Sequence, residues 1–174
     1  MHLPFSLDVA GRPVLVVGAG EVAERKAAVL TDAGAVVTQV APADYRRGDA
    51  ARYRLVIAAA HHDDNAVVFE DAEAAGVWCN AVDDPEHCSF LFPAIVRRGP
   101  VTVAVSTGGS SPALASWMRR ELEAVVGPEF ADVALRLAEE RRRIHAAGAS
   151  TEGVDWAARI EAHLASLRAA TAHS

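Results

Sequence analysis

Pro13-Val14-Leu15-Val16-Val17-Gly18-Ala19-Gly20-Glu21-Val22-Ala23 decides the fold. The first five residues are apolar and Val-rich, which suits a strand buried on both faces. Gly18 to Ala23 then match G-x-G-x-x-G/A in the required place, after a strand and opening a helix. There Gly18 permits a tight turn, Gly20 lets the backbone approach a pyrophosphate, and Ala23 keeps the helix close to the strand. From Glu21 to Ala33 the composition is helical, with Val22, Ala27 or Ala28, and Leu30 on one stripe, and Gly34 closes the helix. Ala35-Val36-Val37-Thr38-Gln39-Val40 is the next strand, stopped by Pro42. The stretch is a β-α-β unit of about thirty residues, and it predicts a dinucleotide cofactor.

Outward from this unit, Pro42 to Arg54 shows no clear periodicity. Leu55-Val56-Ile57-Ala58-Ala59 reads as a third strand, Asn65 to Ala75 as a helix, and Val77 to Val82 as a fourth strand. Alternation at this spacing predicts an α/β fold with a Rossmann-like, doubly wound parallel sheet. The pattern changes at Phe92-Pro93. Ala94-Ile95-Val96 and Val101 to Val105 flank Arg97-Arg98-Gly99-Pro100 with no room for a helix, so they pair as an antiparallel hairpin. Beyond it the chain is helical, with Ser111 as N-cap, Pro112 in the first turn, and breaks at Gly127-Pro128 and Gly148 to Thr151. Three parts are expected: residues 1–92, 93–126 and 127–174.

Composition narrows the class. Of 174 residues 51% are hydrophobic, 37 are Ala and 23% are charged, which disfavours disordered and fibrous chains. No apolar run approaches the ~20 residues of a membrane span. Met1-His2-Leu3-Pro4 lacks a signal-peptide pattern, and Cys79 and Cys88 form no metal-ligand pattern. A cytoplasmic protein without membrane partners is expected. The net charge of −6 argues against nucleic acid. Arginines nevertheless collect at Arg97-Arg98, Arg119-Arg120 and Arg136-Arg141-Arg142-Arg143, which suits either a small polyanionic ligand or solvated helix faces.

Four segments carry candidate chemistry. The second strand ends without the acid that often binds ribose hydroxyls; Asp44, further on, either substitutes or is a solvated loop residue. No arginine stands at that strand end for a 2′-phosphate, so NAD is preferred to NADP. His61-His62-Asp63-Asp64 offers four ligand types in a row, but adjacent side chains diverge, so a loop lining the cofactor cleft is expected and no metal centre. Asn80-Ala81-Val82-Asp83-Asp84-Pro85 follows the fourth strand, where reactants sit in open α/β sheets; its acids either face the reactants or initiate the Pro85 turn. Ser106-Thr107-Gly108-Gly109-Ser110-Ser111-Pro112 is either an anion-facing helix start or a plain cap.

Taken together, Leu3-Pro4-Phe5, Gly11 to Lys26, Asn80 to Pro85, Phe92-Pro93-Ala94 and Gly99 to Pro112 resemble the precorrin-2 dehydrogenases. That family also occurs as the N-terminal module of siroheme synthases and as bifunctional sirohydrochlorin ferrochelatases. The resemblance covers about residues 3 to 125 and implies oxidation of precorrin-2 to sirohydrochlorin with reduction of NAD. It implies Asp83 as catalytic base and Gly18, Gly20, Glu21, Val22, Pro42 and Ala43 as cofactor contacts. It further implies Ser106, Thr107, Gly108, Gly109 and Ser110 at the substrate, a homodimer built on the hairpin region, and a helical substrate-covering domain. The arginines then meet the carboxylates of the tetrapyrrole. The chain departs from the family in its short Asp44 to Arg54 segment and in Ala60-His61-His62, where relatives commonly carry Thr-Asp-Asp. It also has no room for a methyltransferase domain. Metal insertion stays open, with Asp83 available as base and His61, His62 and His87 within reach of a metal route. The competing class is a nucleotide-sensing Rossmann module, which has no need of the Asn80 to Asp83 segment.

Overall fold

The computed structural model describes residues 3–171. They divide into two compact units, one ending at Phe92 and the other beginning at Pro93.

The first unit is built on four parallel strands, β1 (Pro13–Val17), β2 (Val36–Val40), β3 (Leu55–Ala58) and β4 (Trp78–Ala81), in the order β2-β1-β3-β4. Helix α1 (Glu21–Asp32) links β1 to β2, and α2 (His62–Ala74) links β3 to β4. Alternation along the strands assigns the core to two faces. Leu15, Val17, Val56, Ala58 and Cys79 pack with Val68 and Ala72 of α2. Val14, Val16, Leu55 and Ile57 pack with Ala23 and Leu30 of α1. Each buried Val, Leu or Ile among them contributes about 1.5–3 kcal/mol by leaving water. A sheet covered on both faces explains why β1 and β3 are apolar at every position rather than at alternate ones.

The strand order reverses between β1 and β3, which opens a crevice at their carboxyl ends. Those ends are level: Val17 stands opposite both Val40 and Ala58, and Ala58 opposite Ala81. The β2–β3 connection carries two short 3-10 turns, Pro42–Asp44 and Ala50–Arg52, where a doubly wound sheet usually has a helix. The boundary that differs most from the sequence reading is the start of the second helix. Helix α2 begins at His62, so His62, Asp63 and Asp64 form its first turn rather than a loop. Asp63 and Asp64 suit that place, because carboxylates favour the positive end of a helix.

In the second unit β5 (Ala94–Arg98) and β6 (Val101–Val105) form an antiparallel two-stranded sheet, turned by Gly99 at φ 54° and Pro100. A Cβ on Gly99 would stand 3.0 Å from Ala131, so glycine also lets α4 (Glu129–Ala146) close on the turn. Helix α3 (Pro112–Val125) starts as expected, with the Ser111 hydroxyl accepting from the Leu114 N–H at 3.2 Å. Arg98 donates to the carbonyls of Val126 and Glu123, tying the hairpin to the end of α3. Helix α5 (Trp156–Thr171) lies along α4 and is joined to it by Arg159–Glu140, His163–Glu140 and Arg168–Glu129. No helix among the described residues is long and apolar enough to cross a membrane.

Candidate active site

The glycine turn is held from three sides. The Gly18 N–H donates to Val40, the Gln39 side-chain amide donates to the Gly18 carbonyl at 2.9 Å, and the Ala59 N–H donates to Val17. Gln39 thus stands near the position where an acid is often found and spends its amide on the turn itself. Gly18 has φ 153°, and a Cβ there would fall 2.4 Å from the Ala59 carbonyl oxygen and 3.0 Å from Ala23. Its glycine is a requirement of packing. Gly20 is the opposite case. It is exposed, has φ −99°, and a Cβ on it would meet nothing within 4 Å.

Gly20 is the N-cap of α1 and supplies no side-chain cap. The first amides of α1 therefore point into open space at the positive end of the helix, with no Cβ in front of them. These residues fit a phosphate group, by the chemistry of the donors and by the space.

An open cleft of about 330 Å³ lies at the carboxyl ends of the strands, and Val22, Ala59, His62, Val82, Asp83 and Asp84 are among its walls. Val82 continues the register of β4 by donating to Ala58, and the chain then turns at Asp83 with φ 57°. A left-handed non-glycine residue is uncommon, and Asp tolerates it better than most. The turn leaves Asp83 exposed on the cleft and buries Asp84. Beneath it, Asn80 is buried and donates to the Phe90 carbonyl, and Ser89 bridges both backbone groups of Cys79. These contacts fix the return of the chain after the turn.

Asp84 does not point away from the site, as an extended backbone would have it. Its Oδ2 accepts from His62 Nδ1 at 2.8 Å and from His87 Nδ1 at 2.7 Å. The His87 hydrogen bond, with the charges of both imidazoles, holds the Asp84 carboxyl below its ordinary range against the opposing effect of burial. Lys26 lies over the Phe92 ring at 3.8 Å. Burial and the neighbouring Arg25 charge lower its pKa, while the Asp83 and Cys88 charges oppose that.

A family model described as "Putative NAD(P)-binding" matches residues 5–94, more than half of the chain. The chain belongs to that family. A second model, described as the sirohaem biosynthesis protein central domain, matches residues 98–124. The chain is 37% identical over 169 residues to siroheme synthase 1 of Aeromonas salmonicida, covering 86% of this chain and 36% of the relative. It is 41% identical over 168 residues to the siroheme synthase of Methylococcus capsulatus, covering 84% and 35%. The chain therefore spans about a third of the length of these relatives. Among solved structures, SirC, precorrin-2 dehydrogenase, shares the fold with a TM-score of 0.65 at 23% identity, covering 94% of this chain and 88% of that one.

Within the NAD(P)-binding match, Gly18, Gly20, Glu21 and Val22 lie on the β1–α1 turn, and Val22 reaches the cleft that Asp83 lines. Pro42 and Ala43 open the first 3-10 turn directly after β2, at the same edge of the sheet. Ser106 to Ser110 lie in the other unit, between β6 and α3. There the Thr107 hydroxyl donates to the Ser111 carbonyl and accepts from the Ser111 N–H, and Ser106 accepts from Gly108. Gly108 and Gly109 have φ 62° and 86°, the left-handed region that favours glycine. The arginine clusters divide. Arg98, Arg119, Arg142 and Arg143 are spent on internal partners, whereas Arg97, Arg120, Arg136 and Arg141 have no side-chain partner among the described residues.

Sequence reasoning missed two features. Lys26 follows Val22 by four residues, so helical spacing alone puts both on one side of α1. The convergence of His62 on Asp84 and His87 has no local signal, because His62 and Asp84 are separated by all of α2 and β4, although Asp84 and His87 are only three residues apart.

Proposed function

We propose that this chain dehydrogenates precorrin-2 to sirohydrochlorin with NAD as the oxidant, in siroheme or cobalamin synthesis. The observation that carries the reading is the meeting, in one cleft, of Val22 beside the uncapped glycine turn and the exposed carboxylate of Asp83. Relationship to siroheme synthases supports the substrate. NAD, when bound, supplies the acceptor for the departing hydride.

The chain's own residues do the rest. The α1 amides after Gly20 bind the pyrophosphate, with Gly18 holding the turn and Glu21, Val22, Pro42 and Ala43 lining the cofactor. Loss of hydride leaves a cationic macrocycle, which the Asp83 carboxylate stabilises and then deprotonates at a ring carbon. Two electrons and one proton leave as hydride, a second proton passes to Asp83, and exposure of Asp83 lets that proton go to solvent. General-base assistance of this kind is worth about 10²–10⁴-fold in rate. Ser106, Thr107, Gly108, Gly109 and Ser110 form the substrate-side turn, and the unspent arginines meet its carboxylates.

The active form is a cytoplasmic homodimer joined through residues 93–126, with residues 127–174 as the substrate-covering helices. Leu114, Trp117, Met118 and Val125 leave an apolar stripe exposed along α3, and Ile95 is exposed on the hairpin. A two-stranded sheet with free edges is marginal alone, and a twofold partner covers both edge and stripe. Incubation of the chain with NAD and enzymatically made precorrin-2, with sirohydrochlorin absorbance as readout, tests the activity.

A further inference from the structure

We infer that His62, Asp84 and His87 form a binding site for one divalent first-row transition-metal ion at the mouth of the cleft. The dehydrogenation leaves all three residues unused, and the inference does not rest on it. Each comes from a different element: His62 from the first turn of α2, Asp84 from the turn after β4, and His87 from the 3-10 turn that follows Pro85. One ligand atom from each, an imidazole nitrogen or a carboxylate oxygen, lies within 4.8 Å of the other two.

The geometry is close to what an ion requires. Metal–nitrogen and metal–oxygen bonds of about 2.0–2.2 Å put neighbouring ligand atoms about 3.0–3.4 Å apart. The Asp84 Oδ2 separations of 2.8 and 2.7 Å from the two Nδ1 atoms need to open by only a few tenths of an ångström. The His62 side chain is 65% exposed and can make that movement, whereas Asp84 is anchored by its 7% exposure. The His87 ring packs edge-on against Phe69 at 5.3 Å and against His62 at 5.7 Å, which restrains its rotation. On binding, the hydrogen bonds to Asp84 are exchanged for metal bonds, and each neutral imidazole carries its proton on Nε2.

The donor set selects the ion. Two imidazoles and one carboxylate suit Zn²⁺, Co²⁺, Ni²⁺ or Fe²⁺ and not Mg²⁺, which prefers oxygen ligands in a regular octahedron. Three protein ligands leave coordination positions open on the cleft side, where His62 and Asp84 form part of the wall. Neighbouring His61 and Asp63 are outside the cluster. The sequence reading expected no metal centre from residues 61–64 taken as one run and named His62 and His87 only toward a metal route, without Asp84; among the described residues only His62 of that run belongs to the cluster.

Titration of the tag-free full chain with Co²⁺, followed by visible absorption and equilibrium dialysis, tests the site. One Co²⁺ should bind per chain, resist excess Mg²⁺ and be displaced by Zn²⁺. His62→Ala, at an exposed position with little bearing on the fold, should weaken binding at least about tenfold, as should His87→Ala, while His61→Ala leaves it unchanged. Absence of saturable Co²⁺ binding overturns the inference, and so does wild-type affinity in either His62→Ala or His87→Ala, or a loss confined to His61→Ala. NADH formation measured in parallel without added metal reports on the dehydrogenase reading separately.

Discussion

Gly18 and Ala59 are so closely apposed that a single methyl group on residue 18 would stand 2.4 Å from the Ala59 carbonyl oxygen. Two residues away, Gly20 has open space where its Cβ would be and an ordinary φ. The two glycines of one motif therefore answer to different demands, the first to the junction of β1 with β3 and the second to a ligand. Gly18→Ala should cost about 2–4 kcal/mol of folding stability, from backbone strain and overpacking. Gly20→Asp should leave the urea midpoint unchanged and abolish NAD binding, because a carboxylate would then occupy the phosphate position. Urea unfolding and calorimetric NAD titration of the two variants check the contrast.

Asp83 and Asp84 are adjacent and have opposite surroundings. Asp83→Asn keeps a residue type that accepts the left-handed turn at φ 57°, so its stability should match the parent, whereas Asp83→Ala should lose about 1–2 kcal/mol. Asp84→Ala should cost about 1–3 kcal/mol, since it leaves two imidazole N–H groups without their acceptor. Denaturant curves measure all three.

Much of the first unit was legible because its signals are local. Strand β1 falls on the predicted residues, and the Ser111 cap and the hairpin also appear where the sequence put them. The start of α2 was not legible. His61 is a weak N-cap, with no side-chain bond to the helix, so Asn65 looked like the first helical residue. The surroundings of Asp84 were not legible for another reason: alternation along an extended strand would place Asp83 and Asp84 on opposite faces, and the positive φ at Asp83 breaks that alternation. Of the Asp84 partners His87 is three residues away, whereas His62 reaches it only across α2 and β4.

The apolar stripe on α3 predicts assembly. Trp117 and Met118 are half exposed and Val125 is 70% exposed on a helix whose buried residue is Ala115. Trp117→Glu should convert a dimer to a monomer in sedimentation velocity while leaving NAD binding in place. A wild-type chain that sediments as a monomer at all concentrations contradicts the dimer.

Cys79 predicts the alkaline limit of stability. Burial, aided by Cys88, pushes its thiol from 9.0 up to about 12. The folded chain thus holds this proton more tightly than the unfolded chain. The resulting stability is complete below pH 9 and is lost as pH rises through 12. Cys79→Ala should flatten the fall in unfolding free energy across that window, measured by denaturant titration at stepped pH.

The most direct test of the central claim is single-turnover formation of sirohydrochlorin from precorrin-2 and saturating NAD, comparing the wild-type chain with Asp83→Asn. Wild-type protein should form sirohydrochlorin and NADH in equal amounts. Asp83→Asn should bind NAD equally well and turn over about 10²–10⁴-fold more slowly. An inactive wild-type chain that still binds NAD, or an Asp83→Asn variant with wild-type turnover, would contradict the account.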